Sequence, residues 1–448
     1  MKVAIIGSGI AGLTAAEFLH RNGVPFLLFE ASGRISGMAQ SHVSPDGFSH
    51  DVGAHFITNR LASAIGVGSQ CRDVLYYGES VWLNGRTYSY PFGLMRVPRF
   101  LAGGIAAKLR GAAREQTAAA WFRRQYGSAL ADEVALPLLE AWSGATADRL
   151  SAAVGDKLQH GIGYTAYLKL ASRWTGRAVA NGYSHEMPES PGVWHVYPEG
   201  GVSLLCEKLA ADIHGAVELE SPVEKIYVEG GRAVGIRAKG RDMDVAAVVN
   251  TAPSPILAKM ISGSDALQGL TKFRYRPMTF VNLRLNGRGV LPDTVLWTPG
   301  PDFPFFRLTE TPLSMPWLAP EGKTLITADI GCERGDSFWT MADNRLGELC
   351  MEGLERMRPG IRARYLGCSV MRTPIAYPVF AIEYEAERQR LEQGTGIEGL
   401  VSIGRNGEFA HILMEDIYWR TRRKMGALAD WLQARPKTAG AAAGSLIR

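Results

Sequence analysis

The hexapeptide Gly7-Ser8-Gly9-Ile10-Ala11-Gly12 constrains this chain most, because it joins an apolar run, Val3-Ala4-Ile5-Ile6, to a helical pattern that lasts to Arg21. The apolar run reads as a buried parallel strand. The first two glycines permit a tight turn and the close backbone approach of a pyrophosphate, and Gly12 lets the next helix pack tightly. Free N–H groups and the dipole at that helix's N-terminus favour an anion. Phe26-Leu27-Leu28-Phe29 supplies a second strand, and Glu30 at its end is placed to accept hydrogen bonds from an adenosine ribose. A carboxylate there disfavours a 2′-phosphate. The competing reading is a secretory signal, since Met1-Lys2 precedes an apolar stretch through Ala16. Glu17, His20 and Arg21 fit a helix better, and no small-residue cleavage site follows.

Length predicts about two or three domains. No stretch of eighteen apolar residues occurs, so a membrane-spanning helix is not expected. The net charge of +5, from 49 basic against 44 acidic residues, leans toward anionic ligands without requiring nucleic acid, and no basic, aromatic-interleaved segment is present. Cys71, Cys206, Cys332, Cys350 and Cys368 are scattered with no CxxC pair, which predicts reduced core thiols in a cytoplasmic protein and no metal site.

Nucleotide-domain character recurs in separated places. After Glu199-Gly200-Gly201 a helix is expected over 202–213, then a strand at 217–219, a hairpin of 223–228 and 233–238 turning at Gly230-Gly231, and a buried strand at 245–249. Leu400-Val401-Ser402-Ile403 is a further buried strand, followed by a helix over 414–431 whose basic patch reads as a solvated face. Between these blocks, residues 76–194 are rich in helical pattern, notably 117–126 and 129–142, whereas 263–395 alternate like strands, most clearly at 280–285 and 324–330. The predicted organisation is a discontinuous nucleotide domain of residues 1–75, 195–262 and 396–435, a substrate domain of 76–194 and 263–395, and a flexible tail from 436.

Past Glu30 the sequence reads Ala31-Ser32-Gly33-Arg34-Ile35-Ser36-Gly37-Met38-Ala39-Gln40-Ser41, then Asp51-Val52-Gly53-Ala54-His55; near the end it reads Gly404-Arg405-Asn406-Gly407-Glu408-Phe409-Ala410-His411, then Met414-Glu415-Asp416. In these motifs the chain resembles the superfamily of FAD-dependent amine oxidases, protoporphyrinogen oxidases and phytoene desaturases, with its UDP-galactopyranose mutase relatives. The resemblance implies an α/β fold: a discontinuous Rossmann-type FAD-binding domain with an inserted α+β substrate domain. It implies noncovalent FAD held by Gly7, Gly9, Ile10, Ala11, Gly12, Glu30, Ala31, Arg34, Gly37, Met38, Gly53, Ala54, His55, Val223, Gly404, Arg405 and Met414. Val223 would meet adenine through its backbone, Arg405 would lie near the phosphates, and the helix starting near Met414 would face the flavin N1 and C2 carbonyl. Ser36 departs from the family's glycine pair, which a negative φ would tolerate, and Met38 stands where amine oxidases often place arginine.

Catalytic assignments are sparser. His55 is the one side chain the family motif puts beside the ring, as a polar group touching N5, the C4 carbonyl or substrate, or as a hydrogen-bonded structural residue. The lysine that many members hold near N5 has no counterpart in Tyr275-Arg276-Pro277-Met278-Thr279. Three readings follow: an oxidase or desaturase taking a hydride from a C–N or C–C bond of a small molecule; a non-redox sugar-nucleotide mutase using reduced flavin as nucleophile, whose diphosphate-binding tyrosines would fall at Phe409 and His411; and a flavin-bearing protein without turnover or an isomerase whose flavin is structural. Arg276 and Arg307 are candidate carboxylate or phosphate anchors. Residues 92–114 mix Leu94, Val97, Phe100, Leu101 and Ile105 with basic residues, as a helix packed over the cleft or one touching a membrane surface.

Overall fold

The apolar start of the chain forms strand β1 (Lys2–Ile6), and the glycine turn leads into helix α1 (Ile10–Arg21) and strand β2 (Phe26–Phe29). The computed structural model describes residues 1–109, 115–157 and 162–434. β1 lies between β2 and the strand Arg241–Asn250, all parallel, with Ile5 opposite both Leu28 and Val249. Val217–Glu218 extends the sheet beyond β2, and Leu400–Ser402 pairs with the other edge of Arg241–Asn250. The parallel core is therefore assembled from the beginning, middle and end of the chain. Continuous burial of Val3, Ile5, Leu28, Val248 and Val249 matches a sheet covered on both faces. α1 covers one face with Leu13, Ala16 and Leu19 and packs on the closing helix Met414–Gln433 through Tyr418, Met425 and Leu428. Burying each such leucine contributes roughly 2 kcal/mol.

The first half of Arg241–Asn250 leaves the parallel core and pairs antiparallel with Arg232–Ala238, which pairs in turn with Val223–Glu229. Gly230 and Gly231, at φ 55° and 79°, close that hairpin as the sequence predicts.

A second, antiparallel sheet is built on Tyr275–Asn286, flanked by Tyr365–Pro378 and Lys323–Gly331, and continues through Arg307–Thr309 and Val295–Trp297. Its far edge is a hairpin, Glu79–Leu83 and Arg86–Ser89, from the stretch expected to be mainly helical. The overlooked signal is Asn84-Gly85, which takes φ 52° and 76° and fits the two-residue turn favoured by strand twist. One face of this sheet packs Val281, Leu283 and Ile326 against Leu346, Cys350 and Leu354 of the helix Asp343–Met357. The opposite face carries Met278, Phe280, Asn282, Arg307 and Asp329, with Phe280 against Gly53 and Asn282 beside His50.

The expected helix at 117–126 forms over Ala118–Tyr126, where Thr117 Oγ1 accepts the Ala120 N–H at 3.1 Å. The stretch 92–114 holds two helices, Phe92–Met95 and Pro98–Leu109; Arg110–Arg114 and the tail from residue 436 lie outside the described residues. Leu94 and Phe100 pack inward, whereas Leu101, Ile105 and Leu109 form an exposed stripe. Among the described residues, no helix is long and apolar enough to cross a membrane, and all five cysteines are free.

Candidate functional site

The glycine turn is shaped by collisions that side chains would cause. Gly7 has φ 93° and sits against the Thr251 hydroxyl, which donates to the Ile6 carbonyl at 2.7 Å. A Cβ on Gly12 would overlap the Gly7 carbonyl oxygen. No side chain caps α1 at Gly9, so its first turn, with Ile10 and Ala11, keeps the unpartnered N–H groups that a phosphate takes. The Ser36-Gly37-Met38 loop roofs this end: the Ser36 N–H donates to the Ser8 carbonyl at 2.9 Å, and a Cβ on Gly37 would stand 3.2 Å from Gly9 Cα. Ala31, Arg34, Gly37 and Met38 are exposed along the loop, and Met38 Sδ accepts from Thr373 Oγ1 at 3.6 Å.

Ser36 corrects one expectation. Its φ is 94°, not negative. Its N–H is committed to Ser8, its carbonyl accepts the Ala39 N–H at 2.9 Å, and its buried side chain meets the Cys206 thiol, so three contacts hold a residue where the family's glycine would sit without strain.

Glu30 is held by four donors at 2.8 Å: the N–H and hydroxyl of Ser8 on Oε2, and those of Ser32 on Oε1. Burial works to raise its pKa, but these bonds prevail and keep it below the ordinary carboxylate value. The anion is thus preformed beside the turn, and its donors are hydroxyls and amides that ribose hydroxyls can supplement. The Ser221 N–H donates to the Glu30 carbonyl at 2.7 Å, which brings the start of Val223–Glu229 alongside. From the other direction, a Cβ on Gly404 would contact Ala11 Cβ, so the closing motif is seated directly on α1. The helix begins at Met414 with no side-chain cap at Leu413. An open glycine cradle, an uncapped helix end and an ionised acid at the second strand fit an FAD diphosphate and ribose.

Gly53, Ala54 and His55 cross between the sheets. Gly53, at φ 84°, faces the Phe280 ring, which a Cβ there would meet at 3.4 Å. Asp51 is buried and accepts the Ser41 and Tyr197 hydroxyls, each at 2.6 Å, while its Oδ2 stands 3.4 Å from His55 Nδ1. That nitrogen has no hydrogen bond of proper geometry. His55 thus lies beside a fixed carboxylate without a hydrogen bond to it.

Opposite His55, the sheet face presents a buried ion pair of Arg307 and Asp329. Burial pushes the Asp329 carboxyl up, and Arg307 and His55 oppose it. Arg307 Nε and Asp329 Oδ1 remain without partners. Arg405 lies 4.8 Å over the Tyr377 ring with Nη2 3.5 Å from His411 Nε2, and no carboxylate pairs with it among the described residues. Burial lowers its pKa, Tyr377 opposes that shift, and Arg307 adds to it. Trp142 packs on Tyr377 and His411, with ring centroids 5.4 and 4.8 Å away, completing an aromatic wall. Two guanidinium groups thus share a region in which Asp329 pairs with Arg307 and Glu79 stands beyond Trp297 and Tyr77. Arg276 is spent on Glu333. Phe409 is committed to the core among Phe273, Tyr275 and Phe380 and faces no cleft.

Sequence reading missed Asp329. Its signal was present: a lone acid within the apolar strand Thr324-Leu325-Ile326-Thr327-Ala328-Asp329-Ile330. Asp51, read only as a motif letter, proves to be a buried hub that joins Ser41 and Tyr197 beside His55.

The sequence model of the family described as flavin containing amine oxidoreductase matches residues 10–401. Coproporphyrinogen III oxidase of Bacillus subtilis (strain 168) is 23% identical over 79% of this chain and 82% of its own length. Protoporphyrinogen oxidase 2 of Arabidopsis thaliana, chloroplastic/mitochondrial, is 23% identical over 88% of this chain and 87% of its own. The crystal structure of reduced UDP-galactopyranose mutase superposes with a TM-score of 0.76 at 17% identity, covering 96% of both chains, which shows a shared fold. With the Rossmann-type sheet and the cradle described above, this chain belongs to the flavin-containing amine oxidoreductase family and is an FAD-dependent oxidoreductase.

Proposed function

We propose that the enzyme dehydrogenates a C–N or C–C bond of a small substrate that carries an anionic group, anchored against the wall of Trp142, Tyr377 and His411 by Arg307 and by Arg405, which is read here as a substrate anchor in place of the phosphate contact that the resemblance implies, because it lies over the Tyr377 ring beside His411. The observation that carries this reading is a pair of guanidiniums with unfilled donors: Arg307 and Arg405 each keep a buried Nε without a partner, and no carboxylate pairs with Arg405 among the described residues. Such cations are retained where an anion completes their pairing. The porphyrinogen oxidase relatives support an oxidative reaction of this kind. The exposed stripe of Leu101, Ile105 and Leu109 supports a peripheral membrane contact of the substrate domain.

In this proposal residues 1–75, 195–262 and 396–435 form the cofactor domain, and the two intervening stretches form the substrate domain. Gly7, Gly9, Ile10, Ala11 and Gly12 would hold the pyrophosphate with Gly37, Met38 and Arg34; Glu30 and Ala31 would hold the ribose, and Val223 the adenine. Gly53, Ala54, Gly404 and the helix end at Met414 would hold the flavin end. Bound FAD supplies the hydride acceptor. Arg307 and Arg405 orient the substrate, Phe280 and the aromatic wall exclude water, and His55, beside Asp51, holds or accepts a proton at Nε2. The sugar-nucleotide mutase reading is weaker, because the positions of its tyrosines hold Phe409, which is core, and His411, which has no phenolic hydroxyl.

The test is to reduce the purified yellow protein, time its reoxidation in air, and compare carboxylated porphyrinogens and amines with their neutral analogues. Reoxidation within seconds marks an oxidase; reoxidation over many minutes marks a desaturase with another acceptor. Arg307→Gln should raise KM for carboxylated substrates about tenfold or more. Equal turnover of charged and neutral substrates would refute the anchoring role.

A further inference from the structure

The strands Glu79–Leu83, Val295–Trp297, Arg307–Thr309 and Lys323–Gly331 lie side by side, and their register sets one row of side chains across the sheet. Arg307 stands opposite Asp329 on one side and opposite Trp297 on the other, and Trp297 stands opposite Val81. Register partners share a face, and Glu79, two residues before Val81, joins that face by strand alternation. The row therefore reads Glu79, Trp297, Arg307, Asp329, with an acid at each end and the guanidinium inside. Phe280, opposite Asp329, extends it to the strand that meets Gly53.

The two neighbours restrain the guanidinium in different ways. Asp329 is fully buried and pairs with it directly, whereas 18% of the Arg307 side chain stays exposed, so the pair opens on the guanidinium side. The other neighbour is uncharged: Arg307 lies over the Trp297 ring, 5.5 Å from its centroid. An indole has a single polar atom by which its rotation can be fixed, and Trp297 Nε1 donates to Glu79 Oε2 at 2.9 Å. An ionised acceptor makes that bond stronger than an amide oxygen would. The Tyr77 hydroxyl lies beside the same carboxylate; burial and Glu79 push its pKa well up while Arg307 opposes the shift, which puts Tyr77 in the field of both groups.

We infer that Glu79 is a positioning residue for the anion anchor: by holding the Trp297 indole in one orientation it fixes the plane on which the Arg307 guanidinium lies, and with it the direction in which the guanidinium donors meet a substrate carboxylate. This rests on the reading of Arg307 as the anchor. Asp329 balances the charge of the guanidinium, and Glu79, through the indole, sets its tilt. A bond between a guanidinium and a carboxylate depends on planar, paired alignment, so a guanidinium that rocks loses affinity for a carboxylate and keeps it for a neutral ligand of the same shape.

The test uses the flavin-loaded full chain and measures, by titration calorimetry, the dissociation constants of benzoate and of benzamide, its neutral counterpart. Benzoate should bind the unaltered protein about tenfold more tightly than benzamide, and Arg307→Gln should remove that preference. Glu79→Leu should weaken benzoate about fivefold and leave benzamide within about twofold. Glu79→Gln keeps an acceptor for the indole and should recover most of the loss. Trp297→Phe keeps a ring under the guanidinium but removes the donor; it should match Glu79→Leu, and the double variant should be no weaker than either, since one bond is removed only once. Trp297→Phe also carries the test if Glu79→Leu does not fold. A preference that Arg307→Gln abolishes but Glu79→Leu and Trp297→Phe leave intact would overturn the inference while the anchor stands. Additive losses in the double variant, or equal weakening of benzamide, would reduce Glu79 to a structural role and overturn it as well. Equal binding of the two ligands by the unaltered protein would refute the anchoring reading itself, and the inference with it.

Discussion

At the scale of single residues, Ser36 shows how a side chain can be held in backbone geometry that glycine prefers. Its φ of 94° is imposed by the Ser8 carbonyl, and a β-carbon there costs on the order of 1 kcal/mol. Ser36→Gly should therefore raise stability by up to about 1 kcal/mol while FAD content is kept, less whatever the contact with Cys206 contributes; the urea midpoint of the loaded protein measures it. An unchanged or lower midpoint would show that the thiol contact outweighs the strain. Gly12 and Glu30 were legible in the sequence because each follows from a local rule: a helix start that must clear a carbonyl, and an acid at the end of a second strand. The φ of Ser36 was not legible, because a partner from another segment sets it. Arg307 could be named but not placed, since only the strand pairing of Arg307 with Asp329 reveals its partner.

At the scale of elements, the closing helix is fastened by its own first turn. Asp416 is fully buried and accepts from the Ser184 hydroxyl at 2.8 Å and from the His185 and Glu186 N–H groups at 2.7 and 3.1 Å. Glu415 accepts from Thr58 at 2.8 Å and Arg60 at 2.5 Å. These carboxylates suit the positive end of a helix, and they tie the loop before His195–Pro198 and the segment after His55 to the same turn. Asp416→Ala should cost about 3 kcal/mol by stranding buried donors, and it should weaken FAD retention, because the freed loop and the helix start at Met414 share this anchor. Denaturant unfolding and the flavin-to-protein ratio after dialysis check the two effects. A loss within about 0.5 kcal/mol, typical of surface substitutions, would show that the loop rearranges to satisfy its own donors. The helix itself was legible from periodicity; the use of its first-turn acids was not, because Ser184 lies more than two hundred positions away.

At the scale of the whole molecule, His195 links pH to stability. It is buried among Phe56, Tyr77 and Tyr183, with centroids at 5.6, 5.6 and 4.3 Å. Burial, with the nearby Lys169, pushes its pKa down to about 3 from 6.5. The folded state therefore keeps the ring neutral while the unfolded chain takes up a proton below 6.5, so stability is full above that value and falls as pH drops toward 3. Between pH 7 and 5 the loss from this group is about 2 kcal/mol. Glu30, whose pKa lies below 4.5, stays ionised across that window and adds no slope. His42 and His50, whose pKa values burial also lowers, contribute slopes of the same sign, so the measurement is a difference: His195→Phe should reduce the fall in unfolding free energy between pH 7 and 5 by about 2 kcal/mol, whatever constant offset the lost contacts bring. Parallel pH profiles for the two proteins would show that the imidazole takes up its proton in the folded state.

The composition of the parallel sheet also governs when the protein can mature. Lys2–Ile6 pairs with the nearby Phe26–Phe29 and with the distant Arg241–Asn250, which pairs in turn with Leu400–Ser402, so the parallel sheet is complete only once residues 400–402 have joined it. Pairings of such long sequence separation form late and slowly. During synthesis the emerging N-terminal segment carries its glycine cradle without the opposing Gly404 loop, a nascent chain in need of shelter and not yet a receptor. The cradle around Gly7 and Gly12 is therefore complete only once the Gly404 loop has folded against α1.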